Sequence, residues 1–133
     1  MSFNFSQVFV TLAAEDRSKM LAFYVGLLGR QPDAIVGEQY AEFQLPGLRL
    51  GIFKPKNSHA GEFESKSSGS MSLCLEVDDL ERAIAHLRTL GYAPAGEIIG
   101  ASHGREIYAY DPQGNRLILH QSVLKDANVE QAN

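Results

Sequence analysis

Tyr108–Gln121 reads YAYDPQGNRLILHQ, and a shorter stretch, LPGLRLGIF at Leu45–Phe53, repeats its turn and strand. In each, a turn built on Pro and Gly leads into an apolar strand carrying an arginine: Gly47-Leu-Arg-Leu in one, Gly114-Asn-Arg-Leu in the other. Pro presets φ and Gly accepts positive φ, so both read as tight connections between antiparallel strands. Working outward, the segments before each turn also correspond. Val8, Val10 and Leu12 alternate with Phe9, Thr11 and Ala13 at the strand period, and Met71–Val77 does the same. After each of these strands the period becomes helical. Met20, Phe23, Tyr24, Leu27 and Leu28 share one stripe behind an Asp16 N-cap, and Leu80, Ile84 and Leu87 share another within Asp79–Leu90. Gly29 and Gly91 end the two helices, and Asp16–Gly29 and Asp78–Gly91 have the same length. Ile35–Val36, Tyr40–Leu45 and Leu48–Phe53 complete the first half; Gly96–Gly100, Arg105–Tyr110 and Asn115–Gln121 complete the second. Each half therefore reads β-α-β-β-β, and the chain is a duplicated module.

Composition narrows the partners. The 133 residues, 44% hydrophobic and 21% charged, suit one soluble globular domain. Module one spans residues 5–54, a Lys-, Ser- and Gly-rich linker 55–69, module two 70–121 and a polar tail 122–133. The formal charge of −4 is spread along the chain without a basic stripe, which argues against nucleic acid. The N-terminal apolar stretch, Val8–Ala14, has no basic segment before it and is far shorter than a membrane span. With Cys74 as the lone cysteine, no internal disulfide can form. A cytoplasmic protein without membrane contact is expected.

Two of these stretches resemble a known family. EDRSKMLAFYVGLLG at Glu15–Gly29 is similar to the Asp-x-x-x-Ser-x-x-Phe-Tyr-x-x-x-Leu-Gly helix of the vicinal oxygen chelate superfamily, with Met20 in place of Ser. That superfamily includes glyoxalase I, bleomycin-resistance proteins and extradiol dioxygenases. YAYDPQGNRLIL at Tyr108–Leu119 resembles its Asp-Pro-x-Gly-Asn turn and final strand. The pattern covers residues 5–121. The resemblance implies an α+β fold in which two tandem modules curl a mixed sheet around a cavity, and it implies a homodimer.

If Val10, Leu12 and Ala14 face the helix, alternation turns Phe9, Thr11 and Ala13 to the cavity. The same rule selects Arg49, Gly51 and Phe53; Ser72, Cys74 and Glu76; and Arg116, Ile118 and His120, with Arg105 and Tyr108 on the seventh strand as further lining residues. In metal-dependent relatives, four inward positions supply His, Glu or Gln to a divalent cation. The resemblance places those positions at Phe9, Gly51, Ser72 and Ile118. Phenyl, hydrogen and sec-butyl groups cannot ligate a metal, so no metal and no cofactor is expected.

Glu76 and His120, both inward at strand ends, are the candidates for acid–base chemistry. Arg49 and Arg116, equivalent in the two modules, suit bidentate capture of a carboxylate or phosphate. Phe63, in the linker, is placed to swing over such a pocket as a lid. The expected function is metal-free binding of a small organic ligand, such as sequestration of a toxic compound. The alternatives are a metal-dependent lyase, isomerase or dioxygenase using Glu76, His120 and His103 or Glu106, and a dimer whose cavity is filled by its own side chains.

Overall fold

The computed structural model describes residues 3–64 and 69–123. By internal contacts the chain divides into two compact units, residues 1–64 and 65–133. The first contains β1 (Val10–Ala13), α1 (Arg17–Leu28), β2 (Ala34–Val36), β3 (Tyr40–Leu45) and β4 (Leu48–Phe53). The second contains β5 (Leu73–Glu76), α2 (Leu80–Thr89), β6 (Ile99–Ala101), β7 (Gly104–Tyr110) and β8 (Arg116–Ser122). Their sheets have matching orders, β1-β4-β3-β2 and β5-β8-β7-β6. In each, the first strand runs parallel to the last and the remaining pairs are antiparallel. The α+β fold of two mixed four-stranded sheets is thus as the repeat indicates.

The duplication extends to register. Leu12 stands opposite Ile52 and Leu75 opposite Leu119. Each parallel pair is then prolonged by one bond of the same kind: Ala14 N–H donates to the Phe53 carbonyl at 2.9 Å, and Val77 N–H to the His120 carbonyl at 2.8 Å. The helices are capped alike, with Asp16 accepting from the Lys19 amide and Asp79 from the Arg82 amide, both at 3.0 Å. Each cap contributes about 1 kcal/mol by satisfying an otherwise unpaired donor. The second helix starts one residue later than the Asp78–Gly91 spacing indicates, with Asp79 as N-cap, and its C-cap is Leu90, one before Gly91, so α2 has 10 residues against 12 in α1.

One face of each sheet is covered by its helix. Leu50, Ile52, Ala41 and Phe43 are buried with Met20, Phe23 and Tyr24 of α1; Leu117, Leu119, Ile107 and Ala109 are buried with Leu80 and Leu87 of α2. Fully burying one Leu or Ile is worth about 2 kcal/mol. The two hairpins solve the same problem differently. Pro46-Gly47 needs two residues, with Gly47 at φ 79°. In the second, Asp111 is buried and its carboxylate accepts from the Gln113 and Asn115 amides and from the Asn115 side chain. Gly114, at φ 89°, closes this turn onto the Asp111 carbonyl.

Other boundaries shift. The sixth strand is Ile99–Ala101 rather than Gly96–Gly100, because Ile99, Gly100 and Ala101 are the residues that pair with β7. Within the stretch expected as linker, Asn57–Phe63 forms a 3-10 segment belonging to the first unit; residues 65–68 and 124–133 lie outside the described residues. Among the described residues, no helix is long and apolar enough to cross a membrane.

Arg105 fastens α2 to its sheet. Its guanidinium donates to both Glu81 oxygens, at 2.7 and 2.9 Å, and to Gln121 Oε1 at 3.2 Å; that oxygen also accepts from the Leu80 amide. The Arg105 hydrogen bond, followed by a backbone hydrogen bond at Glu81 itself, lowers the Glu81 carboxyl from 4.5 to about 2. A carboxyl held lower in the folded state stabilises above its ordinary pKa, and that stabilisation is lost as pH falls through the folded value. Glu81→Gln is therefore expected to lower the urea unfolding midpoint at pH 7, with the gap to wild type closing as pH falls from 4.5 toward 2. A gap independent of pH would exclude the pair as its source.

Candidate functional site

The face of each sheet away from its helix carries the polar and aromatic side chains, and register assigns them strand by strand. In the first unit, Thr11, Gly51 and Glu42 lie side by side, as do Ala13, Phe53 and Tyr40. The Arg49 guanidinium lies over the Phe9 ring, 3.8 Å from its centroid, with Nε 3.9 Å from Glu42 Oε1. Both Glu42 oxygens are occupied, one accepting from the Tyr40 hydroxyl and the other from Gln44 Nε2, each at 2.9 Å. Burial and the hydrogen bond to Glu42 push the Tyr40 phenol up, so it stays protonated and donates. Its ring lies across Gly51: a Cβ there would come within 2.7 Å of the Tyr40 hydroxyl.

The corresponding face of the second unit is different. Arg116 donates to Ser72 Oγ at 3.0 Å and to the Gly69 carbonyl at 2.9 Å. Ile118 stands between Cys74 and Tyr108, and His120 between Glu76 and Glu106. His120 is buried, and its Nδ1 lies 2.5 Å from Glu76 Oε1. A carboxylate accepts hydrogen bonds, so this contact suits an Nδ1–H donor. The His103 ring stacks on His120 at 5.4 Å and 27°. Pairing and stacking fix the orientation of this imidazole, as acid–base work requires.

Register thus places Thr11, Gly51 and Phe53 on one open face, and Cys74, Glu76, Tyr108, Ile118 and His120 on the other, with Phe9 and Arg49 stacked in the first and Ser72 and Arg116 bonded in the second. Arg105 is the exception, because β7 carries it on the helix side with Gln121. Tyr108 is three positions on from Arg105, an odd interval that puts them on opposite faces of any strand. Sequence reading also passed over Tyr40, Glu42 and Gln44, although YAEFQL alternates between polar and apolar residues along its length.

The sequence matches the Glyoxalase/Bleomycin resistance protein/Dioxygenase superfamily over residues 6–119. The chain belongs to this superfamily. A glyoxalase/bleomycin resistance protein from Catenulispora acidiphila is 26% identical with a TM-score of 0.64, over 86% of this chain and 96% of that one. A glyoxalase-related enzyme from Fulvimarina pelagi is 22% identical with a TM-score of 0.70, over 89% of each chain. A lactoylglutathione lyase from Agrobacterium tumefaciens is 20% identical with a TM-score of 0.66, over 91% and 97%. At these last two identities the likeness is one of fold. No curated protein matches the chain.

The positions at which the resemblance leads one to expect metal donors are Phe9, Gly51, Ser72 and Ile118. Those residues do not fit a metal: three lack a donor atom, and the Tyr40 ring occupies the space above Gly51. Among the described residues, no three His, Cys, Asp or Glu side chains are grouped so as to hold a metal ion.

Two outcomes follow from the second face. Partial burial, then the Glu76 and Glu106 carboxylates, push the Cys74 thiol up, so at pH 7.5 iodoacetamide is expected to alkylate it more slowly than an unstructured cysteine peptide. Alkylation at the peptide's rate or faster, followed by mass spectrometry, would contradict that environment. A Cβ on Gly104 would run into the Gln121 carbonyl and come within 2.9 Å of His120 Nε2. Gly104→Ala is therefore expected to cost about 2 kcal/mol in urea unfolding and to displace the His103 and His120 ring resonances.

Proposed function

We propose that this superfamily member binds a small organic molecule against the open faces of its sheets without a resident metal. What supports the reading is residue 51, a ligand position by the resemblance, where glycine stands and the Tyr40 ring fills the space a Cβ would need. Each open face has the makeup of a small-molecule site, apolar with a few fixed polar groups: Phe9 and Phe53 with Arg49 in the first unit, and Tyr108 and Ile118 with Arg116 and the His120–Glu76 pair in the second. Sequestration of a toxic compound is one use of such a face that needs no chemistry. Two copies of the chain form the working unit in this proposal, supported by the apolar Ile35 and Val36, which are 56% and 62% exposed on edge strand β2.

A second reading draws on the gathering of His103, Glu106, Glu76 and His120 at one end of the second sheet. It takes these as a non-standard ligand set for a lyase, isomerase or dioxygenase. Their grouping falls short of three donors around one point among the described residues.

Metal analysis by inductively coupled plasma mass spectrometry separates the two readings, on protein purified without an affinity metal or chelator. The expected result is below about one-tenth equivalent of any transition metal, with no rise in melting temperature on adding zinc, nickel, iron(II) or manganese. Near-stoichiometric metal would overturn the metal-free reading. A ligand present at 100 times its Kd should stabilise the protein by about 2.7 kcal/mol, so a thermal-shift screen of small molecules tests binding itself.

A further inference from the structure

At the end of the first sheet, β4 leads into the Asn57–Phe63 segment and the two enclose a groove of about 470 Å³. Its walls are aromatic. Phe63 meets Phe53 edge-to-face, with ring centroids 5.1 Å apart and planes at 84°. Tyr40, held by its hydrogen bond to Glu42 and the cross-strand neighbour of Phe53, also lines the groove. Two cations, Lys54 and Lys56, line the groove beside His59, and among the described residues no Asp or Glu lines it. Among the described residues, neither lysine is in an ion pair. Glu42, on the same face of the sheet, has both oxygens engaged by Tyr40 and Gln44. Backbone bonds set the geometry, from Lys54 N–H to the Gln39 carbonyl and from His59 N–H to the Lys56 carbonyl, each 2.8 Å.

From this arrangement we propose that the groove binds a planar aromatic anion, a ring bearing a carboxylate, with the ring against Tyr40, Phe53 and Phe63 and the carboxylate toward Lys54 and Lys56. Two observations select this class. Aromatic rings offer their faces and edges to another ring, which an aliphatic chain uses less well. Two unpaired ammonium groups at one rim, in a protein whose net charge is −4, favour a negative group there and repel a cationic one. The volume lies within the range of small-molecule sites. This inference deepens the binding function proposed above and rests on it.

The test uses 2-naphthoate as probe, followed by amide chemical shifts in the full chain, with 2-naphthalenemethanol as neutral counterpart and cyclohexanecarboxylate as non-aromatic anion. Saturable shifts with naphthoate are expected at Phe53, Lys54 and the Asn57–Phe63 segment, with weaker binding by both counterparts. The Lys54→Gln/Lys56→Gln double variant should weaken naphthoate about fivefold and leave the neutral compound unchanged. Phe63→Ala should weaken both aromatic compounds about tenfold. Both changes lie on exposed side chains and leave the helix-covered core intact. No saturation by about 10 mM, shifts confined to the second unit, or indifference to the lysine variant would overturn the inference. If a molecule of another class then binds an open face, the general binding function stands without this site; if none of any class binds, both fall.

Discussion

Every assignment on the open faces depends on one constraint, the parallel pairing of β1 with β4 and of β5 with β8. Leu50 and Ile52 are buried on the face that α1 covers, and Leu117 and Leu119 on the face that α2 covers. A slip of one residue would turn four large aliphatic side chains outward and bring Arg49, Arg116 and His120 against a helix. Exposing one Leu or Ile costs about 2 kcal/mol, and several together exceed what a small unit can lose. The apolar side thus fixes the register, and the register decides which polar residues share the other side. Specificity on the open face is inherited from burial on the closed one.

Within that shared frame the two copies have diverged, and the divergence is local. At the equivalent cross-strand pair, the first unit has Ala13 with Phe53 and the second has Glu76 with His120. One step back along the same strands, Thr11 with Gly51 answers to Cys74 with Ile118. One face is therefore aromatic where the other is titratable, although backbone and pairing are the same. Because side chains on an open sheet face carry little of the packing, they can change without disturbing the fold. Arg49 and Arg116 remain at matched positions, yet each is engaged within its own unit, one over Phe9 and the other on Ser72 and Gly69.

The fold was legible in the sequence to the level of strand faces, because burial writes itself as alternation and helix ends as Asp and Gly. The misplacements have physical causes. Asp78 and Asp79 are adjacent and chemically alike, and only the hydrogen bond to Arg82 distinguishes the cap. Arg105 joined the lining residues by its neighbourhood in sequence, where the parity of its position already excluded it. Tyr40 is a harder case. That its ring covers Gly51 depends on a diagonal reach between neighbouring strands, which needs the register and not only the face. Nor does composition show that a Lys-, Ser- and Gly-rich stretch folds back far enough for Phe63 to meet Phe53, since the 3-10 turns that place it have no apolar period.

Electrostatics accounts for which of these groups remain available to a ligand. Glu42 is shared by Tyr40 and Gln44, and it lies too far from Arg49 Nε for a hydrogen bond. That Nε is buried and, among the described residues, has no hydrogen-bond partner. Such an unpaired donor costs about 1–3 kcal/mol. The guanidinium recovers part of this from the Phe9 ring, because the quadrupole of an aromatic face attracts a cation. Arg49 is therefore committed to the protein's own structure, as Arg116 is through its two hydrogen bonds. At the groove beside β4, by contrast, Lys54 and Lys56 are in no ion pair among the described residues. A lysine gives up less structure than these arginines when it turns toward a ligand, so the division of labour follows from how each cation is already held.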